Sequence, residues 1–111
     1  MPFELGDVIL VPFPFTDLSA TKKRPALVVS SRRFNSARPD VVIVAVTSQV
    51  RPARGIGEAV LSDWQSAGLA RESVTKPIVA TVDSSLAIRK LGTLSGADCG
   101  TVRAALAEIL G

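Results

Sequence analysis

The sequence predicts a mainly β domain that ends in one helix. Three observations carry that expectation. Short apolar runs rich in Val and Ile recur along the chain, turn residues separate them, and only the last stretch shows helical spacing. With 111 residues, 47% of them hydrophobic and 21% charged, the chain reads as one globular domain over 1–111. Such a length buries one modest core without disulfides or metal.

The elements follow in order. Asp7–Phe13 (DVILVPF) comes after a Gly-Asp turn and reads as a first strand, with Pro12 and Pro14 placing its end at an edge or bulge. Residues 16–23 (TDLSATKK) have the chemistry of a polar loop. Residues 25–30 (PALVVS) form a second strand, and 32–40 a basic, polar loop. Residues 41–46 (VVIVAV) are apolar on both faces and predict a central strand. Residues 51–57 (RPARGIG) read as a loop, 58–61 as a short strand and 63–68 as a helical turn. Residues 78–82 (IVATV) form a further strand, 84–90 show no clear preference, and 92–94 suit a short strand. In the tail, Val102, Ala105, Leu106, Ile109 and Leu110 share one helical face. Ser95 or Asp98 can cap its start and Gly111 follows its end. That stripe should pack on the sheet or on a second subunit. Several short strands and one terminal helix suggest a small, partly open barrel.

Charge and absences narrow the chemistry. The net charge is +3. Lys22, Lys23, Arg24, Arg32, Arg33, Arg38, Arg51 and Arg54 crowd the N-terminal half, which suits either a bound polyanion or a solvated basic face. The chain has no His and no Tyr. A His-based acid–base pair and a Ser-His-Asp triad are therefore excluded within it. One Cys and scattered carboxylates make poor zinc ligands, so neither metal nor cofactor is expected. Cys99 has no partner for an internal disulfide. The N-terminus lacks the basic start of a signal peptide, and the apolar runs reach about half the ~20 residues of a membrane span. The expected location is the cytoplasm.

Three constellations could carry chemistry. Lys22-Lys23-Arg24-Pro25 precedes an apolar strand, and Pro25 restrains the backbone of Arg24. An arginine fork matches a phosphate bidentately. The same arginine could equally pair with a nearby carboxylate such as Asp17. Thr47-Ser48-Gln49 ends the strand VVIVAV, where the hydroxyls could donate to a phosphate or merely form a strand-ending turn. Residues 73–77 (SVTKP) offer Lys76 as a further phosphate contact, or serve as a strand-entry loop. Trp64 and the Phe residues suit core or interface positions, although Phe13 or Phe15 could reach a base. Gly55 and Gly57 lack the strand–helix context of a phosphate-cradling loop.

The combination of Gly6-Asp7-Val8-Ile9-Leu10-Val11, a polar loop, and residues 23–30 (KRPALVVS) resembles the MazF/PemK-like toxins. VVIVAV followed by Thr47-Ser48 is similar to a second motif of that family. Residues 73–77, then Thr81-Val82-Asp83, then residues 91–94 (LGTL) and a final helix, are similar to its C-terminal half. The resemblance spans nearly the whole chain. It implies a small SH3-like β-barrel (MazF/PemK/CcdB-like) with a C-terminal helix, usually a homodimer. It also implies a metal-independent endoribonuclease toxin of a type II toxin–antitoxin system, blocked by a cognate antitoxin. By motif match, Arg24 and Thr47 are the residues implied to be catalytic. Lys22, Lys23, Pro25, Ser48, Gln49, Asp17 and Lys76 are the implied substrate contacts. In the family reaction the RNA 2′-OH attacks its own phosphate and leaves a 2′,3′-cyclic phosphate.

The chain departs from the family in one place. Many relatives carry an acidic residue in an Ala-Asp-Gln-like motif, where this chain reads Thr75-Lys76-Pro77-Ile78. Asp17, Asp83 or a water could act as the base instead. A non-catalytic barrel that binds RNA or a protein target is the alternative reading. The loops at 16–23, 31–40 and 50–57 would set any sequence preference.

Overall fold

The computed structural model describes residues 3–13, 22–50 and 55–111. Six strands form one antiparallel sheet: β1 (Asp7–Phe13), β2 (Lys22–Val28), β3 (Asp40–Thr47), β4 (Val60–Leu61), β5 (Ser73–Asp83) and β6 (Arg89–Thr93). Their spatial order is β4-β5-β3-β2-β1-β6, curled into a half-barrel. Two helices accompany them, α1 (Arg32–Ala37) and α2 (Gly96–Leu110), with a 3-10 turn at Ser84–Leu86. The mainly β fold with a C-terminal helix agrees with the sequence.

Alternation along the strands builds two apolar layers, because successive side chains point to opposite faces. On one face Val8, Leu27 and Val46 pack with Leu61, Leu94 and the α2 residues Val102 and Ala105. On the other, Ile9, Val11, Ala26, Val28, Val41 and Ile43 form a second cluster, edged by Phe3 and Leu86. β3 lies inside the sheet between β2 and β5, which is why its sequence is apolar at every position from Val41 to Val46.

Four expectations are corrected. β2 starts at Lys22, not at Pro25, because Phe13 and Pro12 of β1 pair with Lys22 and Lys23 and draw the polar residues into the ladder. Residues 32–37 form α1 rather than a loop. Ser31 caps the helix by accepting the Phe34 N–H at 3.1 Å. Buried Asn35 anchors it, donating to the carbonyls of Phe3 (2.7 Å) and Ser30 (3.1 Å) while accepting from the Ser30 hydroxyl. Residues 73–77 belong to β5, not to a loop before it. The α2 stripe does not pack along its whole length: Val102 and Ala105 are buried and Leu106 packs against their cluster, whereas Leu110 is 73% exposed.

Two buried details hold the loops near the site. Ser95 caps α2 by accepting the Asp98 N–H at 3.2 Å. The Asp98 carboxylate, 2% exposed, accepts the N–H groups of Ser62 (3.1 Å) and Asp63 (2.8 Å) and so fixes the start of the turn at 62–68. That turn ends at Gly68 with φ +80°, where a Cβ would lie 2.0 Å from the Leu91 carbonyl oxygen. Glycine is required there, and the turn is thereby pressed onto β6.

Candidate functional site

The candidate side chains gather at one end of the sheet, where β2 begins and β3 ends. Ala26 pairs with Ala45, and the same register carried two residues further brings Arg24 level with Thr47. Both sit on the face of the second apolar cluster, just beyond its member Ala26 and the buried Ala45 that pairs with it. Hydrophobic burial thus stops where the polar groups begin.

β5 supplies the third wall through a bulge. Val44 pairs with Val79 and Val46 with Thr75, so the three residues Lys76, Pro77 and Ile78 stand opposite the single Ala45. Pro77 has no N–H to give to a ladder and suits such a position. The bulge places Lys76 beside Arg24, Thr47 and Gln49, which with Ala45 and Val46 line a depression of about 90 Å³. A second depression of about 180 Å³ shares Arg24, Val46 and Thr47. Its other walls are Pro25, Ser48, Leu69, Ala70, Arg71 and Ser73.

Within the site, the Thr47 hydroxyl oxygen accepts the Gln49 N–H at 3.1 Å. This is the strand-ending turn that the residue types suggested, and it orients the hydroxyl while leaving its hydrogen to donate outward. Thr75 is 1% exposed; it accepts the Ala59 N–H at 2.8 Å and donates to the Gly57 carbonyl at 3.3 Å, so it braces the neighbouring loop.

The structure therefore brings together Arg24, Pro25, Thr47, Ser48, Gln49 and Lys76. Lys22 and Lys23 are exposed on the same strand but line neither depression. Asp17 and Phe15 lie outside the described residues. Arg71 was not singled out in the sequence: it stands in a polar stretch before β5, and only the fold turns it toward Arg24. Asp83 does not belong to the site. It pairs with Asp40 at the far end of β3, about 23 Å from Thr47 at ~3.3 Å per residue. There it accepts the Ser85 N–H at 2.9 Å, which holds its carboxyl below the usual range. Among the described residues, no carboxylate lines either depression.

The basic stretch is contiguous in sequence but divided in space. α1 sits at the opposite end of β2 and β3, about 20 Å from Arg24 by strand length. Arg38 donates to the Asp40 carboxylate at 2.8 and 3.1 Å and lies over the Phe34 ring at 5.4 Å. Arg32 pairs with Glu4 at 3.5 Å. These cations form a separate region from the site.

Known proteins give the same picture of the fold. The family model described as PemK-like, MazF-like toxin of type II toxin–antitoxin system matches residues 4–110. No curated protein matches the chain. Among solved structures, an endoribonuclease from a mycobacterial species is 25% identical, with a TM-score of 0.79 over 100% of this chain and 93% of that one. An endoribonuclease in complex with its cognate antitoxin, also mycobacterial, is 24% identical, with a TM-score of 0.78 over 98% and 95%. A MazE–MazF crystal structure from Deinococcus radiodurans is 20% identical, with a TM-score of 0.76 over 100% and 97%.

Proposed function

The chain belongs to this family of PemK-like, MazF-like toxins, and from that premise we propose that it is an endoribonuclease that cuts single-stranded RNA. One observation carries the reading. Arg24, Thr47 and Lys76 converge on one depression whose described walls hold no carboxylate. Such a site attracts an anion, and it offers a fork, a hydroxyl and an ammonium to phosphate oxygens.

The reaction that suits these groups takes its nucleophile from the substrate. The ribose 2′-oxygen forms a bond to the adjacent phosphorus, and the bond to the 5′-oxygen of the next nucleotide breaks. The 2′-OH proton leaves to solvent or to a base, and the 5′-oxygen takes up a proton. The products are a 2′,3′-cyclic phosphate and a free 5′-OH. Arg24 and Lys76 neutralise the charge that builds on the phosphoryl oxygens, and the Thr47 O–H donates to one of them. Asp17 or a water serves as the base, since Asp83 lies at the wrong end of β5. An antitoxin peptide is the proposed protein partner, the working assembly a homodimer and the place of action the cytoplasm; Lys22 and Lys23 steer RNA toward the site from its rim.

The test is cleavage of a long single-stranded RNA with EDTA present, followed by end analysis. Wild-type protein should leave cyclic phosphate ends, and Arg24→Ala should abolish cutting. Intact RNA with clean wild-type protein, or equal cutting by Arg24→Ala, would sink the reading. The lack of an acidic residue in Thr75-Lys76-Pro77-Ile78 favours one second reading, a barrel that binds RNA or a protein without cutting; that reading predicts a binding isotherm and no cleavage product.

A further inference from the structure

Arg71 stands out among the cations because the mechanism above does not use it. It is exposed, and no described carboxylate lies within ion-pair distance of it. Yet its backbone is held firmly. The Ser73 hydroxyl, on a residue 3% exposed, donates to the Arg71 carbonyl at 2.8 Å. Behind it, the turn at 62–68 is tied to α2 through Asp98. The backbone of a second arginine is thus held at the rim of the depression that Arg24 also lines.

The two depressions share a wall of Arg24, Val46 and Thr47; Lys76 and Gln49 line only the smaller one, and Arg71 only the larger. The larger one adds apolar surface from Pro25, Leu69 and Ala70, and hydroxyls from Ser48 and Ser73. That combination of an apolar floor, hydroxyls and one cation matches a nucleotide: a base face, a sugar edge and a phosphate. Resting on the ribonuclease reading, we infer that Arg71 is a substrate-binding residue that holds the phosphate next to the scissile one, with the attached nucleotide in the larger depression. The strand then crosses the shared wall, from the Lys76 side to the Arg71 side. Arg71 acts on affinity and register, while Arg24 acts on the reacting phosphate.

The experiment compares the full-length wild-type chain with Arg71→Ala, Arg71→Met and Arg71→Lys. Binding is read with a short single-stranded 2′-O-methyl oligoribonucleotide, which cannot attack its own phosphate, across a series of salt concentrations. Cleavage is read in parallel on unmodified RNA. Losing one phosphate contact should lower the slope of log K against log salt by about 0.7. Arg71→Ala and Arg71→Met should both show that loss, with KM raised about tenfold and kcat changed far less. Arg71→Lys should keep most of the slope. Arg71→Met retains the aliphatic stem, so a purely packing role would leave it like wild type, and that result overturns the assignment. An unchanged slope in Arg71→Ala, while the wild type still cuts, also overturns it and leaves the ribonuclease reading intact. Binding with the expected slope loss but no cutting by the wild type sinks the ribonuclease reading and keeps the phosphate contact. No binding by the wild type removes both.

Discussion

The two ends of the β2–β3 pair are both basic, and they use their charge differently. At the α1 end, Arg38 is paired with Asp40 and Arg32 with Glu4, within a few residues or across one short contact. At the other end, Arg24, Arg71 and Lys76 line adjoining depressions with no described carboxylate among them. A cation beside its own carboxylate is a surface feature with little left to offer a ligand. Cations set around a shared hollow concentrate positive charge where an incoming anion can meet more than one of them. Counting charges along the chain cannot tell these apart, because the described cations of the N-terminal half fall at both ends.

Breaking the site end should have the larger consequences. Arg24→Ala removes the charge at the wall shared by both depressions, and should lower single-turnover cleavage by at least about a hundredfold. Far-UV circular dichroism should stay unchanged, because the residue is exposed. Thr47→Val keeps the shape and loses the donor; cleavage should fall about ten- to a hundredfold, and Thr47→Ser should recover much of it. A Thr47→Val enzyme as fast as wild type would move the oxyanion contact elsewhere, with Ser48 the next group to examine.

The α1 end should answer in stability instead. Asn35→Ala strips three hydrogen bonds from a buried site and leaves the Phe3 and Ser30 groups without their partner. Urea unfolding should show a loss of about 2 kcal/mol, while cleavage by the folded fraction stays the same. Arg38→Ala is the smallest perturbation. The hydrogen bonds from Arg38, then its charge, hold the Asp40 carboxyl below its usual value. A lowered folded-state value means the pair favours folding above the ordinary carboxyl range near pH 4, and that contribution disappears as pH falls through the lowered value. Arg38→Ala should therefore flatten the acid side of the stability profile slightly and leave RNA cleavage untouched. Equal loss of cleavage in Arg38→Ala and Arg24→Ala would merge the two regions and end the distinction drawn between them.

Much of this was legible in the residues. DVILVPF became β1 with the expected bounds, and VVIVAV became an interior strand with one residue added at each end. Alternation and β-branched content report burial directly, so these strands could be read one at a time. α1 could not. RRFNSA is six residues long without an apolar stripe, and its reasons to be helical are the Ser31 cap and the buried bonds of Asn35 to residues Phe3 and Ser30. The bulge in β5 was equally hidden: Pro77 hinted at irregularity, but a bulge is defined against a partner strand, and the partner is Ala45.

The sequence by itself determined the mainly β class, the terminal helix and the absence of imidazole chemistry. These depend on composition and on periodicity, while the interest in Arg24 and Thr47 together came from the resemblance of two separate motifs to a family. Tertiary structure alone decided that Arg24 and Thr47 stand level on one face, that Asp83 is excluded from their company, and that Arg71 joins them while Arg32 and Arg38 do not. The physical reason is register. Which side chains meet across an antiparallel sheet depends on how strands far apart in sequence align, and one bulge or one pinned turn reassigns every neighbour beyond it.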